Sequence, residues 1–176
     1  MEEVVLQEGL TSISSNTFKD CSKLKSINIP SSVTRINDGA FSGCNSLTKT
    51  EFTSIENLCS IYMSDYNSNP LHCSHHLYID GKEVTDLIIP SSVTNIGGSL
   101  FSGCNNLTSV AFENGSKLTS IGNGAFRFCS QIQSIDLPES LTNISDEAFY
   151  GCSNLTAIDI PASVTTISEY AFNTCI

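Results

Sequence analysis

With 176 residues, 40 % hydrophobic and 15 % charged, the chain has the composition of a folded domain with a sizeable core, not of a disordered segment. Its formal net charge is -10 and no Lys or Arg follows Arg127, so nucleic acid and anionic membrane surfaces are poor partners and a neutral or basic protein fits better. No run of eighteen apolar residues is present, which excludes a spanning helix, and MEEVVLQEGL lacks the basic and apolar regions of a secretory signal, so export would need further sequence.

The chain opens inside a repeating unit. Met1–Leu6 (MEEVVL) takes the place of Leu24–Ile29 (LKSINI), and Leu10, Ile13, Phe18 and Cys21 precede Val33, Ile36, Phe41 and Cys44 by 23 residues. A fixed period of this size marks a unit that buries its apolar face only against copies of itself, as a solenoid does. In Ser26-Ile27-Asn28-Ile29-Pro30 the apolar and polar residues alternate as in a half-buried strand, and Pro30 ends its ladder. The same slots recur at Val4 and Leu6, Thr50 and Phe52, Leu87 and Ile89, Val110 and Phe112, Ile135 and Leu137, and Ile158 and Ile160. Seven parallel strands at ~4.8 Å would form a ribbon on the order of 30 Å long.

Each strand leads to a segment such as Val33–Cys44, in which Asn37 and Asp38 can cap one helical turn and Phe41 and Cys44 share its inner face. Six such segments stack Phe18, Phe41, Phe101, Phe126, Phe149 and Phe172, and a second file holds Ile13, Ile36, Ile96, Ile121, Ile144 and Ile167.

After Phe52 the Ile-Phe-Cys segment is missing and residues 53–83 replace it. Ile55, Leu58, Cys59 and Tyr62 fall at i, i+3, i+4 and i+7, which predicts an amphipathic helix over Ser54–Met63 capped by Ser54. Ser64–His76 is turn-forming. Asp80-Gly81 between Leu77–Ile79 and Lys82–Val84 predicts a hairpin that runs into the strand at Leu87. A smaller departure lies between Phe112 and Leu118, two residues longer than elsewhere, with Asn114-Gly115 as the turn. The 23-residue rule is most regular from Ile135 to Cys175, and it stops there without a polar closing unit. Both ends therefore look cut from something longer, or pair with another chain; oligomeric state stays open.

The unit L-x-x-I-x-I-P-x-x-V-T-x-I-x-x-x-A-F-x-x-C, as in Leu155–Cys175, resembles the BspA-like leucine-rich repeat family, known from surface antigens of mucosal bacteria and from protist parasites. The resemblance implies one leucine-rich repeat solenoid over residues 1–176. That fold is a right-handed β/α horseshoe with a parallel β ribbon on the concave face and short helical turns on the convex face. The family also contains interruptions with N-P-L and L-Y-x-x-G, found here at Asn69–Leu71 and Leu77–Gly81. It implies a non-enzymatic protein-binding module in adhesion or recognition at a cell surface, with a host or extracellular-matrix protein as partner. The alternative is an intracellular interaction scaffold with reduced thiols. Asn106, Asn114, Asn143 and Asn154 begin N-x-S/T sequons, of which Asn106 and Asn154 occupy a repeat slot and need no glycan to explain them.

Eight Cys are present, six of them (Cys21, Cys44, Cys104, Cys129, Cys152 and Cys175) in one repeat slot, where neighbouring rungs point in parallel and a ladder of buried thiols is expected. Cys59 and Cys73 are the remaining candidate pair. Leu71–His76 (LHCSHH) holds every His, but its spacing lacks the paired knuckles of a structural zinc site, so neither metal nor cofactor is expected. No G-x-S-x-G elbow occurs, and Asp136 and Asp159 fall on adjacent rungs without an aromatic platform, so no enzyme is expected. The outward rung slots, including Glu51, Asp86, Asp136 and Asp159, are small or acidic. Interface energy concentrates in Tyr, Trp and Arg, so the rim of the insert, with Asp65, Tyr66, His75 and His76, is the expected main contact, the alternative being that its tyrosines only seal the gap in the core.

Overall fold

The computed structural model describes residues 1–175 as a parallel β-solenoid of stacked coils. Two ribbons run along the stack. In the first, Glu3–Val5, Ser26–Ile29, Lys49–Phe52 and Leu77–Ile79 pair in parallel, with Val4, Ile27, Thr50 and Leu77 in register. Asp86–Ile89, Ser109–Phe112 and Ser134–Ile135 form a second block of the same kind. The other ribbon has two-residue strands at Ser12–Ile13, Arg35–Ile36 and Tyr62–Met63, then Asn95–Ile96, Ser120–Ile121, Asn143–Ile144 and Thr166–Ile167. Alternation decides which side chains face inward: Ile27 and Ile29 are buried while Ser26 and Asn28 stay half-exposed.

The segments expected as helical turns are tight turns instead. Ala40, Ser42 and Cys44 donate their N–H groups to Asn37, Gly39 and Phe41, three residues back, while the alternate N–H groups leave the coil. Thus Phe18 N–H bonds Ala40 O and Phe126 N–H bonds Ala148 O, so the turns form a ladder between coils that a helix could not. Asn37 does not cap; its amide reaches Ile13 O in the preceding coil. The phenylalanines stack as the spacing requires, with centroids 5.2 Å apart for Phe18–Phe41 and 5.1, 5.4 and 5.3 Å along Phe101, Phe126, Phe149 and Phe172. No such pair joins Phe41 to Phe101 among the described residues.

The insert redistributes the expected elements. Helix α1 spans Ile55–Ser60, with Ser54 Oγ accepting from Asn57 N–H, and it ends four residues after Glu56. The expected last turn is a strand: Met63 takes the rung beside Ile36, and Tyr62 turns outward, where the Arg35 guanidinium sits 4.4 Å above its ring. A second helix, α2 (Pro70–Ser74), occupies the stretch expected to be turns. Leu77–Ile79 is a ribbon rung as well as the first arm of the hairpin with Lys82–Glu83, which turns on Asp80 and Gly81, both at positive φ. The rung expected at Ile158–Ile160 is not a strand, so the seven rungs have a different membership from the sequence reading. At the other departure, Gly115 adopts φ +75° where Ser116 N–H closes the turn onto Glu113 O.

Both ribbons break at the same level. Among the described residues, no strand pairing crosses from Tyr62–Met63 to Asn95–Ile96 or from the hairpin to Asp86–Ile89. The stack is two blocks meeting at a seam.

All eight cysteines are free thiols. Cys44, Cys129, Cys152 and Cys175 point their Sγ at the carbonyls of Phe18, Phe101, Phe126 and Phe149, at 3.0–3.2 Å. Cys73, expected to stand outside the ladder, joins it: its Sγ lies 3.2 Å from Phe41 O. It does not pair with Cys59. Burial pushes the Cys44, Cys59 and Cys152 thiols up to about 12. We therefore expect the folded protein to react with a thiol reagent at pH 8 far more slowly than the unfolded chain, which should titrate eight thiols; fast native labelling of the ladder would refute its burial.

Candidate functional site

The seam is where the chain's polar chemistry collects. It begins with Asn69, fully buried, whose side-chain oxygen accepts from Leu71 N–H at 2.9 Å and so caps α2, with Pro70 supplying the fixed φ of the first turn. The Asn69 amide donates to Ser99 O at 2.7 Å and Leu100 O at 3.0 Å in the next block. In a regular coil the acceptor at the Leu100 position receives a backbone N–H, as Ala40 O does from Phe18; here a side chain substitutes for it. From below, Thr50 occupies an Ile slot of the first ribbon and donates to Ser74 Oγ at 2.9 Å, holding α2 to the first block. Leu71 is fully buried in the core.

The three histidines point to three different places. His75 closes α2 in the left-handed region, and its Nδ1, 2.8 Å from Gly103 O, must carry the proton because a carbonyl only accepts. His76 Nδ1 bonds Glu83 on the hairpin. His72 turns inward, its Nδ1 buried with no partner. Of the three, His76 alone reaches the hairpin. Among the described residues no three His, Cys, Asp or Glu side chains converge as metal ligands.

His72 opens onto a cavity of about 160 Å³ lined by Tyr66, His72, Ser102, Arg127 and Phe128. Tyr66 meets the His72 ring edge-on at 5.1 Å and is 45 % exposed; Phe128, which also lines the cavity, is 42 % exposed. Arg127 ion-pairs with Glu147 at 3.0 Å and lies 4.8 and 5.1 Å over the Phe128 and Tyr150 rings. Arg127 and Phe128 stand where two other coils carry Ser42-Gly43 and Ser102-Gly103. Phe128 adopts φ +60° at this glycine slot, a conformation that costs a bulky residue about 1–2 kcal/mol, and its ring lies where a Cβ on Gly151 would come within 2.6 Å. A third coil thus has an Arg-Phe pair, held at a conformational cost, facing the insert.

The expected acidic contacts lie elsewhere. Glu51 is tied to Lys49 at 2.9 Å and accepts from Gly81 N–H at 2.6 Å; the Lys49 hydrogen bond holds its carboxyl below the usual range. Asp86 accepts from the Ser109 hydroxyl at 2.6 Å, which likewise lowers it, and from Thr108 at 3.1 Å. Both carboxylates are occupied with fixing the ribbon. Asp136 and Asp159 are exposed and share one shallow concavity with Glu139 near the last coils, away from Tyr66, His75 and His76. Asp65 accepts from Ser68 N–H in the turn before α2. The sequence reading missed Arg127, Phe128, Ser102 and the joint made by Asn69 and Thr50. FRFC against FSGC, a Thr at an Ile rung and an Asn-Pro pair were the available signals.

A family profile described as the BspA type leucine rich repeat region matches residues 1–74 and 73–176, as six copies. No curated protein matches. Among solved structures, a leucine-rich repeat protein from Bacteroides ovatus is similar at 26 % identity over 98 % of this chain and 41 % of its own, with TM-score 0.66. A leucine-rich cell surface protein from Faecalibacterium prausnitzii is 25 % identical over 99 % of this chain and 52 % of its own, with TM-score 0.61. The chain spans about half or less of the length of these proteins. With the profile covering the chain from end to end and the coils arranged as described, the protein belongs to the BspA-type leucine-rich repeat family.

Proposed function

We propose that residues 1–176 act as one leucine-rich repeat domain, a non-enzymatic protein-binding module at a cell surface, with the insert of residues 53–83 as its specificity element. The family fold supports protein interaction as the general role. The observation that carries the finer reading is the exposed aromatic pair Tyr66 and Phe128 around Arg127 at the seam, the residue types in which interface energy concentrates. His75, held on Gly103, and His76, held on Glu83, extend the polar surface of the insert, while Asp136 and Asp159 supply a separate acidic face suited to a basic surface of the same partner. Adhesion to a host or extracellular-matrix protein fits this arrangement, and the F. prausnitzii neighbour is itself described as a cell surface protein. The ladder thiols do not choose a compartment, because buried thiols held far above neutral pH are poor substrates for oxidation.

Binding of the domain to an immobilised basement-membrane extract, followed by surface plasmon resonance, tests this reading. Tyr66→Ala should weaken binding by about tenfold or more while changing stability by under roughly 0.5 kcal/mol, since the side chain is largely at the surface. His75→Ala is the contrasting variant: it removes the bond to Gly103 and should cost about 1 kcal/mol of stability. Unchanged affinity with a lowered melting temperature in Tyr66→Ala would reject the interaction reading.

A further inference from the structure

The cavity at the seam contains three buried side-chain polar atoms that nothing in the protein satisfies: Arg127 Nε, Ser102 Oγ and His72 Nδ1. One such atom is common, but three around one space are a demand for a ligand with matching chemistry. Arg127 Nε–H can only donate. The Ser102 hydroxyl and an imidazole nitrogen can both donate, so all three groups can be satisfied together by an acceptor with several lone pairs. Burial, then the proximity of His75 and of Arg127, hold the His72 imidazole below its usual range, so the ring offers one N–H and not a second charge.

We propose that this cavity is a binding site for a carboxylate group, received by Arg127 Nε–H, the Ser102 hydroxyl and His72 Nδ1 between the rings of Tyr66 and Phe128. Its volume of about 160 Å³ admits a carboxylate on a short aliphatic stem and falls below that of sites for drug-sized molecules. Arg127 remains available because Glu147 engages a different guanidinium nitrogen, at 3.0 Å. Ser102 is only 1 % exposed, and Gly103 lets His72 close in behind it: a Cβ there would lie 3.2 Å from the His72 Nδ1. The carboxylate can be a free small acid or the end of an Asp or Glu side chain on the partner, and in the second case the site rests on the interaction reading above.

Imidazole signals of the ¹⁵N-labelled domain, recorded through titrations with acetate, with acetamide and with a blocked aspartyl dipeptide at constant ionic strength, test the proposal. Acetate should move the His72 signals saturably and raise the pH at which this imidazole titrates, because the bound anion favours its protonated form. Acetamide should have a much smaller effect. Arg127→Lys keeps the charge but removes Nε–H, and Ser102→Ala removes the hydroxyl with little change in volume; either should weaken acetate by about tenfold. A response to acetate alone assigns the site to free small acids, whereas a response to the dipeptide as well extends it to protein side chains. The acetate measurement stands whether or not the domain binds any matrix protein. Absence of a saturable His72 response, an equal response to acetamide, or unchanged acetate affinity in both variants would leave the cavity to water and overturn the proposal.

Discussion

Asn69→Asp should destabilise the protein by about 3–5 kcal/mol at pH 7, more than Asn69→Ala at about 2 kcal/mol, although Asp is as good a helix cap as Asn. The reason lies on the other side of the side chain. The amide nitrogen donates to Ser99 O and Leu100 O, and an ionised carboxylate would set a third acceptor against those two carbonyls in a site with no exposure. Both effects raise the introduced carboxyl's folded pKa above its unfolded value. The native state then prefers the protonated form, so the deficit relative to the parent should shrink as pH falls through the folded value and should be fullest above it. Urea unfolding of the three proteins between pH 4 and 7 measures this directly. Equal losses for the two variants at every pH would mean that the ionised carboxylate adds no penalty beyond the loss of the amide donor, and would overturn the prediction.

Phe126→Ala should cost about 3–5 kcal/mol and lower the melting temperature by roughly 10 °C. Phe126 is fully buried and stacked on both sides, at 5.1 Å from Phe101 and 5.4 Å from Phe149, so its removal opens a void that neither neighbouring coil can close without leaving its own register. Stability in a solenoid is a sum over units and their interfaces, so the loss should fall on the second block. Native-state hydrogen exchange should show faster opening of the amides of Phe126 and Phe149, which bond Ala148 and Ala171, than of Phe18, which bonds Ala40 in the first block. Phe126→Leu, which keeps most of the volume, should cost under about 1.5 kcal/mol. A loss for the Ala variant no larger than that of a surface substitution would show that the stack is not a source of stability.

The regular coils were legible because one residue type serves one role at a fixed spacing. Ile at the rungs and Phe and Cys in the turns repeat every 23 residues in the regular coils and are explained by burial, while Thr at the outer edge is exposed and bonds the neighbouring coil. The turns were misread as helical because Asn37 and Asp38 resemble a cap locally, whereas the coil above supplies the hydrogen bonds that a helix would have kept for itself. The insert was legible only in part. Ser54 and Asp80-Gly81 act within a few residues of themselves, and α1 and the hairpin follow from them. Met63 and Cys73 fill ladder slots at a spacing other than 23, which a fixed period conceals. Asn69, Thr50, His72, Ser102, Arg127 and Phe128 acquire their roles only when two blocks meet, and that juxtaposition has no periodic signature.

The double break in the ribbons has a consequence for how such chains can vary in length. Where ladders are continuous, adding or deleting a coil shifts every later coil by one place relative to whatever surface it serves. Here the alignment of the two blocks is set by α2, through Thr50 below and the Ser99, Leu100 and Gly103 carbonyls above, and not by counting rungs. Coils can therefore be gained or lost beyond either block while the geometry around Tyr66 and Arg127 stays as it is. The irregular stretch behaves as a coupling with its own dimensions, and the regular coils on each side are the adjustable part.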